Sequence, residues 1–176
     1  MKKYLIPTFL IALGIACRFL PHLPNFTPIG AIAIFGALYL PKQWSILLPI
    51  GALFISDIFI GFYSWPIMLS VYIGFILMGT MGLLIKKNKK FSTVIGGTLL
   101  GSIIFFLITN FAVWKFSAMY TNNFSGLINS YQMALPFFRN SLVGDLFYVA
   151  VLIGTYETVW YLLNKKDVKS LAIDKI

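Results

Sequence analysis

Side chains able to do chemistry are few in this apolar chain, and they are unevenly placed. Arg18 ends a first apolar run, and His22 and Asn25 follow it directly. Asp57 sits late in a third run, between Ile55 and Ile58. Asn110 and Trp114 close a fifth run, and Arg139, Asn140 and Asp145 open a sixth. Glu157 stands apart, about 18 Å further along a helix from Asp145 at roughly 1.5 Å per residue. Ionisable groups in hydrocarbon are costly, so each is a functional candidate that needs a named partner. For Asp57 that partner is Arg18 or Arg139, whether the pair serves a ligand or only locks helices together. Arg18 lines a pocket or snorkels to the headgroups. Asp145 binds ligand or simply suits the amino-terminal end of a helix dipole. His22, beside two prolines, reads as a loop histidine more often than as a metal ligand. Glu157, near Tyr156 and Trp160, is either an interhelical hydrogen bond or a candidate for proton coupling. Apart from Glu157 these residues share one depth, which independent structural pairs would not.

Catalytic signatures are missing. The sequence contains no glycine-rich phosphate loop, no metalloprotease spacing and no Gly-x-Ser-x-Gly. One histidine leaves little for acid–base work, and Cys17, as the single cysteine, excludes an internal disulfide and any cysteine-rich metal site. The expectation is a binding protein rather than an enzyme, with no cofactor or metal of its own. Phe26, Tyr63, Trp65, Trp114, Tyr120, Tyr131, Phe137 and Phe138 stand at the level of the polar residues. Trp65 and Tyr120 suit an interfacial aromatic belt. The remaining rings, with few polar groups among them, suit an uncharged or zwitterionic organic molecule containing a ring system.

The elements that must position these residues are membrane helices. A chain of 176 residues with 59% hydrophobic residues, 11% charged and a mean hydropathy of +0.87 cannot coat a soluble globule. Six spans are predicted in an all-α bundle, at about 4–20, 28–40, 45–63, 66–85, 91–114 and 141–163, the second of them short. Prolines 21, 24, 28 and 41, the Ser64–Pro66 step and the lysines at 86–90 punctuate them. The net charge of +9 reads as topology rather than nucleic-acid binding. With a cytoplasmic amino terminus, eleven of the fourteen Lys and Arg fall inside, and only Arg18, Lys115 and Arg139 fall outside. That places both termini in the cytoplasm of a bacterial cell membrane. Lys2, Lys3 and the apolar run to Cys17 imitate a lipoprotein signal, but Gly14 stands where a lipobox wants an aliphatic residue, so an uncleaved first helix is expected.

Residues 115–140 are expected to form a long aromatic lid loop. Within it Asn123 caps a short helix that Pro136 ends near Leu135, laying Phe124, Leu127, Ile128 and Tyr131 on the bundle. Ala12 with Ala16, Ala33 with Ala37 and Gly97 with Gly101 place small residues on single helix faces, for internal packing or, on the first helix, for a membrane partner.

The run Pro24-Asn25-Phe26-Thr27-Pro28-Ile29-Gly30-Ala31, the segments Ser56-Asp57 with Gly61-Phe62-Tyr63, Asn110 to Trp114, Ala134 to Phe138, Asn140 with Gly144-Asp145-Leu146, and Tyr156-Glu157 resemble an uncharacterised bacterial membrane family. That family is similar to the substrate-binding S components of energy-coupling factor transporters. The resemblance implies a six-helix vitamin-uptake subunit that binds its ligand from outside and docks on a membrane coupling subunit driven by two ATPases. It also implies a docking role for Ala12 and Ala16. The resemblance does not match the ligand-specific residues of a thiamine, riboflavin, biotin or cobalamin binder to positions here, and cobalamin would rest on His22 alone as cobalt ligand. Two rival readings are a solitary proton-coupled carrier working through Glu157 and Asp145, and a non-transporting membrane scaffold.

Overall fold

A computed structural model describes residues 4–173, and the side chains of residues 4–164. It is all-helical: α1 (Leu5–Phe19), α2 (Ile29–Tyr39), α3 (Trp44–Ile60), α4 (Trp65–Ile85), α5 (Phe91–Phe116) and α6 (Phe124–Ile173). Three segments are long and apolar enough to cross a membrane: Trp65–Ile85, Phe91–Phe116 and Phe124–Asn164 within α6. The other three helices, of 15, 11 and 17 residues, fall short of the roughly 20 that a free-standing span requires. Lys2, Lys3 and Lys175 lie outside the described residues, as do the side chains of Lys165, Lys166 and Lys169.

Helix α2 is the hub. Every residue from Ile29 to Leu38 is buried, and the other helices form an arc around it in the order α1, α3, α4, α5, α6, with no backbone contact between α1 and α6. Small residues make this possible, because between apolar surroundings helices associate by close packing rather than by a hydrophobic drive. A Cβ on Gly82 of α4 would stand 2.6 Å from the Ala37 Cβ of α2, and one on Gly79 would run into the Ser45 carbonyl oxygen. Helix α2 stops at Tyr39 because Pro41 follows, so its shortness is real and Thr27 and Pro41 do not extend it.

The largest departure from the sequence reading is α6. Residues 115–140 are not a lid loop: α5 runs to Phe116, seven residues turn the chain, and α6 begins at Phe124 rather than 141. The cap is where it was expected, with the Gly126 amide donating to Asn123 Oδ1 at 2.8 Å. Asn123→Ala should therefore lower stability by about 1 kcal/mol, read as a shift in the detergent melting midpoint. Pro136 does not end the helix. Its ring removes one backbone hydrogen bond, but α5 holds the chain on both sides of it. Tyr131 Oη donates to the Leu107 carbonyl at 2.8 Å, and the Phe138 ring sits 4.5 Å from that of Phe106. Neighbouring helices commonly carry a proline in this way. The apolar part of α6, Phe124–Asn164, is then about 60 Å long at 1.5 Å per residue.

Candidate functional site

At the end of the bundle where α1 finishes lies a cavity of about 340 Å³, bounded by the α1–α2 and α3–α4 connections and by α4, α5 and α6. That is a volume fit for a small organic molecule. Its polar lining is sparse, with Arg18, Asn25, Tyr63, Thr109, Asn110 and Asp145 the main members. Its apolar lining is rich in rings from Phe75, Phe105, Phe106, Phe137 and Phe138. Phe75 and Phe105 lie 4.5 Å apart between centroids, so α4 and α5 present a continuous aromatic wall.

Arg18 is fastened to α3 through one nitrogen. Nη1 lies 2.7 Å from Asp57 Oδ1, 2.5 Å from Ser56 Oγ and 3.3 Å from the Leu53 carbonyl. Asp57 is 1% exposed. Its Oδ2 accepts from Tyr72 Oη of α4 at 2.9 Å, while Oδ1 has no aligned hydrogen bond and is held by the charge of Arg18. Three helices are thus joined at one carboxylate. Nε and Nη2 of Arg18 carry no bond among the described residues, which leaves donors available on a residue that lines the cavity. Nearby Tyr63 stands outside the helices, and burial, with the Asp57 charge adding to it and Arg18 opposing, pushes its phenol up, so it remains a neutral hydroxyl donor.

Asp145, on α6, is 7% exposed. Oδ2 accepts from Ser102 Oγ of α5 at 2.7 Å, and a Cβ on Gly30 would run into Oδ1. Gly30 is therefore glycine because the Asp145 carboxyl lies against the first turn of α2. Asn110 spends its amide nitrogen on the Phe106 carbonyl at 2.8 Å, which leaves Oδ1 to accept. Asn25 turns the chain with φ of 64°, a left-handed conformation that asparagine tolerates better than most residues.

The structure thus gathers eight of the residues singled out from sequence, Arg18, Asn25, Tyr63, Asn110, Phe137, Phe138 and Asp145 on the cavity wall and Asp57 behind Arg18. Others lie around it without lining it. Tyr131 and Asn140 fasten α6, the latter through Nδ2 to the Pro24 carbonyl at 3.1 Å. Trp114 Nε1 donates to the Thr121 carbonyl at 3.0 Å and so closes the α5–α6 turn. His22 is exposed, with Nδ1 2.8 Å from the Leu23 carbonyl, and does not line this cavity. Arg139 is exposed, does not line the cavity and forms no ion pair among the described residues; it is not the partner of Asp57. Glu157 lies at the other end of the bundle and accepts from Tyr39 Oη at 2.5 Å, a bond between α6 and α2. Ala12 and Ala16 are exposed on α1. Sequence reasoning missed Tyr72, Ser102, Phe75, Phe105 and Phe106. Ser102 follows Gly101 in a close-packing helix, and nothing in its own neighbourhood announces a partner 43 residues away.

Membrane-length helices around a buried hub, with a ring-lined hollow at one end, define an all-helical protein of membrane-compatible build. The chain belongs to DUF6580, a family of unknown function whose profile matches residues 1–169. No curated protein and no solved structure matches it.

Proposed function

We propose that the protein is a six-span membrane subunit that captures a small ring-bearing nutrient from outside the cell, in the manner of the S components of energy-coupling factor transporters. The observation that carries the proposal is the cavity itself, a 340 Å³ hollow with an aromatic wall and a few buried polar groups at the Arg18 end. The lysine distribution supports the assignment of that end to the outside. Lys86 and Lys89 stand at the opposite end, where Lys86 Nζ donates to the Leu40 carbonyl at 2.9 Å and Lys89 lies 4.2 Å above the Tyr39 ring. The short α2 does not count against six passes, since its backbone is sheathed by protein and need not meet lipid. Helix α1 packs chiefly on α3, and its exposed Ala12 and Ala16 suit close approach by a membrane coupling subunit, with ATP hydrolysis left to that partner's ATPases. Glu157, engaged with Tyr39 and remote from the cavity, gives the proton-coupled carrier no support.

Native mass spectrometry of the protein purified in mild detergent should show one retained organic compound per chain. Ala134, 8% exposed and on the cavity wall, offers the matching control. Ala134→Phe should fill the hollow and abolish retention while the melting midpoint stays within a few degrees. Retention of nothing by the wild-type chain, or equal retention by the filled variant, would overturn the assignment.

A further inference from the structure

From the charge balance of this cavity we infer that its ligand is an organic cation, a protonated amine or positively charged ring, held by Asp145 against the phenylalanine wall. The inference rests on the small-molecule reading above and sharpens it, replacing the uncharged or zwitterionic molecule expected from sequence.

Two ionisable side chains of opposite charge line the cavity, Arg18 and Asp145. They do not neutralise each other. Arg18 is paired with Asp57, and that is the only ion pair among the described residues. Removing that pair from the sum leaves Asp145 as the ionisable group with no counter-charge among the described residues. It is more than nine-tenths buried and touches a single hydroxyl donor, Ser102, which also lies 3.0 Å from the Thr98 carbonyl. A carboxyl group so far from water either keeps its proton or finds a positive partner; no Lys, Arg or His of the described residues supplies that partner, so a bound organic cation is what would hold Asp145 ionised. Arg139, the one remaining basic residue on the same stretch of α6, is exposed.

The rest of the wall agrees with that chemistry. Aromatic faces attract cations through their quadrupoles, most strongly where water is excluded. Phe75 with Phe105 and Phe106 with Phe138 provide two such ring pairs in the cavity, each with centroids 4.5 Å apart. Asn110 Oδ1, left free by its bond to the Phe106 carbonyl, adds a neutral acceptor suited to an N–H donor. A ligand anion would find the free edge of Arg18, but it would have to share the cavity with an unscreened Asp145.

The test uses three probes of one shape and different charge: tryptamine, a protonated amine at neutral pH; tryptophol, its neutral counterpart; and indole-3-acetate, an anion. Each is titrated calorimetrically into the full chain in detergent after removal of retained ligand, with protein-free micelles as blank. Tryptamine should bind at least tenfold more tightly than either of the others, and Asp145→Asn should bring tryptamine and tryptophol within about twofold. Equal or tighter binding of tryptophol or indole-3-acetate to the wild-type chain overturns the cation preference and leaves the small-molecule cavity standing. That comparison needs no variant, so a poorly folded Asp145→Asn does not spoil it. No heat above the blank from any of the three overturns both the preference and the ring-binding reading beneath it.

Discussion

Arg18→Met will destabilise the fold by about 3 kcal/mol, and Asp57→Asn will cost clearly less. Removing one member of a buried ion pair leaves an uncompensated charge, with a typical penalty of about 3–5 kcal/mol. The lower end applies because Arg18 retains 18% of its side-chain exposure beside the cavity. The asymmetry follows from what each partner keeps. Without the guanidinium, Asp57 is sealed in with Tyr72 as its one remaining donor. Without the carboxylate, Arg18 keeps Ser56 Oγ, the Leu53 carbonyl and an open edge on the cavity. In a melting experiment in detergent the arginine variant should lose about 6–12 °C, taking roughly 2–4 °C per kcal/mol for a chain of this length. The double variant Arg18→Met with Asp57→Leu should recover most of it, as apolar replacement of a whole pair generally does. A single Arg18→Met that melts within about 2 °C of the parent would mean that the pair contributes no stability.

Comparable damage is expected from a single methyl group where α4 packs on α3 or on α2. In Gly79→Ala the new Cβ would collide with the Ser45 carbonyl, which is backbone and cannot rotate away, so the two helices must separate. Gly82→Ala sets a Cβ 2.6 Å from that of Ala37 and 3.2 Å from the Ile34 Cα, and pushes α4 off the hub. Overpacking at such contacts costs up to about 3 kcal/mol. Gly96 and Gly154 have no atom within 4 Å of a built Cβ and serve as controls. Alanine there should change stability by less than about 1 kcal/mol, in the stabilising direction if helix propensity governs. If all four variants melt alike, the tight seams of α4 with α3 and α2 are not what holds the bundle together.

These two predictions mark what was and was not legible in the chain. The Arg18–Asp57 pair was foreseen as one of two options, because an arginine at the end of one apolar run and an aspartate late in another meet when both helices rise to the same end. Which arginine would be used was not legible. Arg139 lies on a helix that begins 17 residues earlier than its hydropathy suggested, and the azimuth of a side chain shifts with every residue of helical phase. Pro136 was read by its local rule, as a helix terminator, and the rule failed because the penalty of one proline was outweighed by what α5 offers on either side, the Tyr131 bond and the Phe106–Phe138 contact. Ser102 and Tyr72 were illegible for the same reason as most helical contacts, since each meets its partner across a helix interface whose register no short motif encodes.

By itself the sequence determined the all-helical class, six apolar helices, the cap at Asn123 and the end of the bundle to which polar residues drift. All of these follow from local chemistry: hydropathy over a window of about 20 residues, capping hydrogen bonds and the cost of charge in an apolar medium. Tertiary structure alone decided that α2 is a buried hub, that α6 runs unbroken past its proline, and that Arg18 is consumed by Asp57 while Asp145 is left without a counter-charge. Those are questions of which faces meet, and they are answered by packing around glycines at 79, 82 and 30, where the absence of a single carbon lets one backbone or carboxyl group occupy the space.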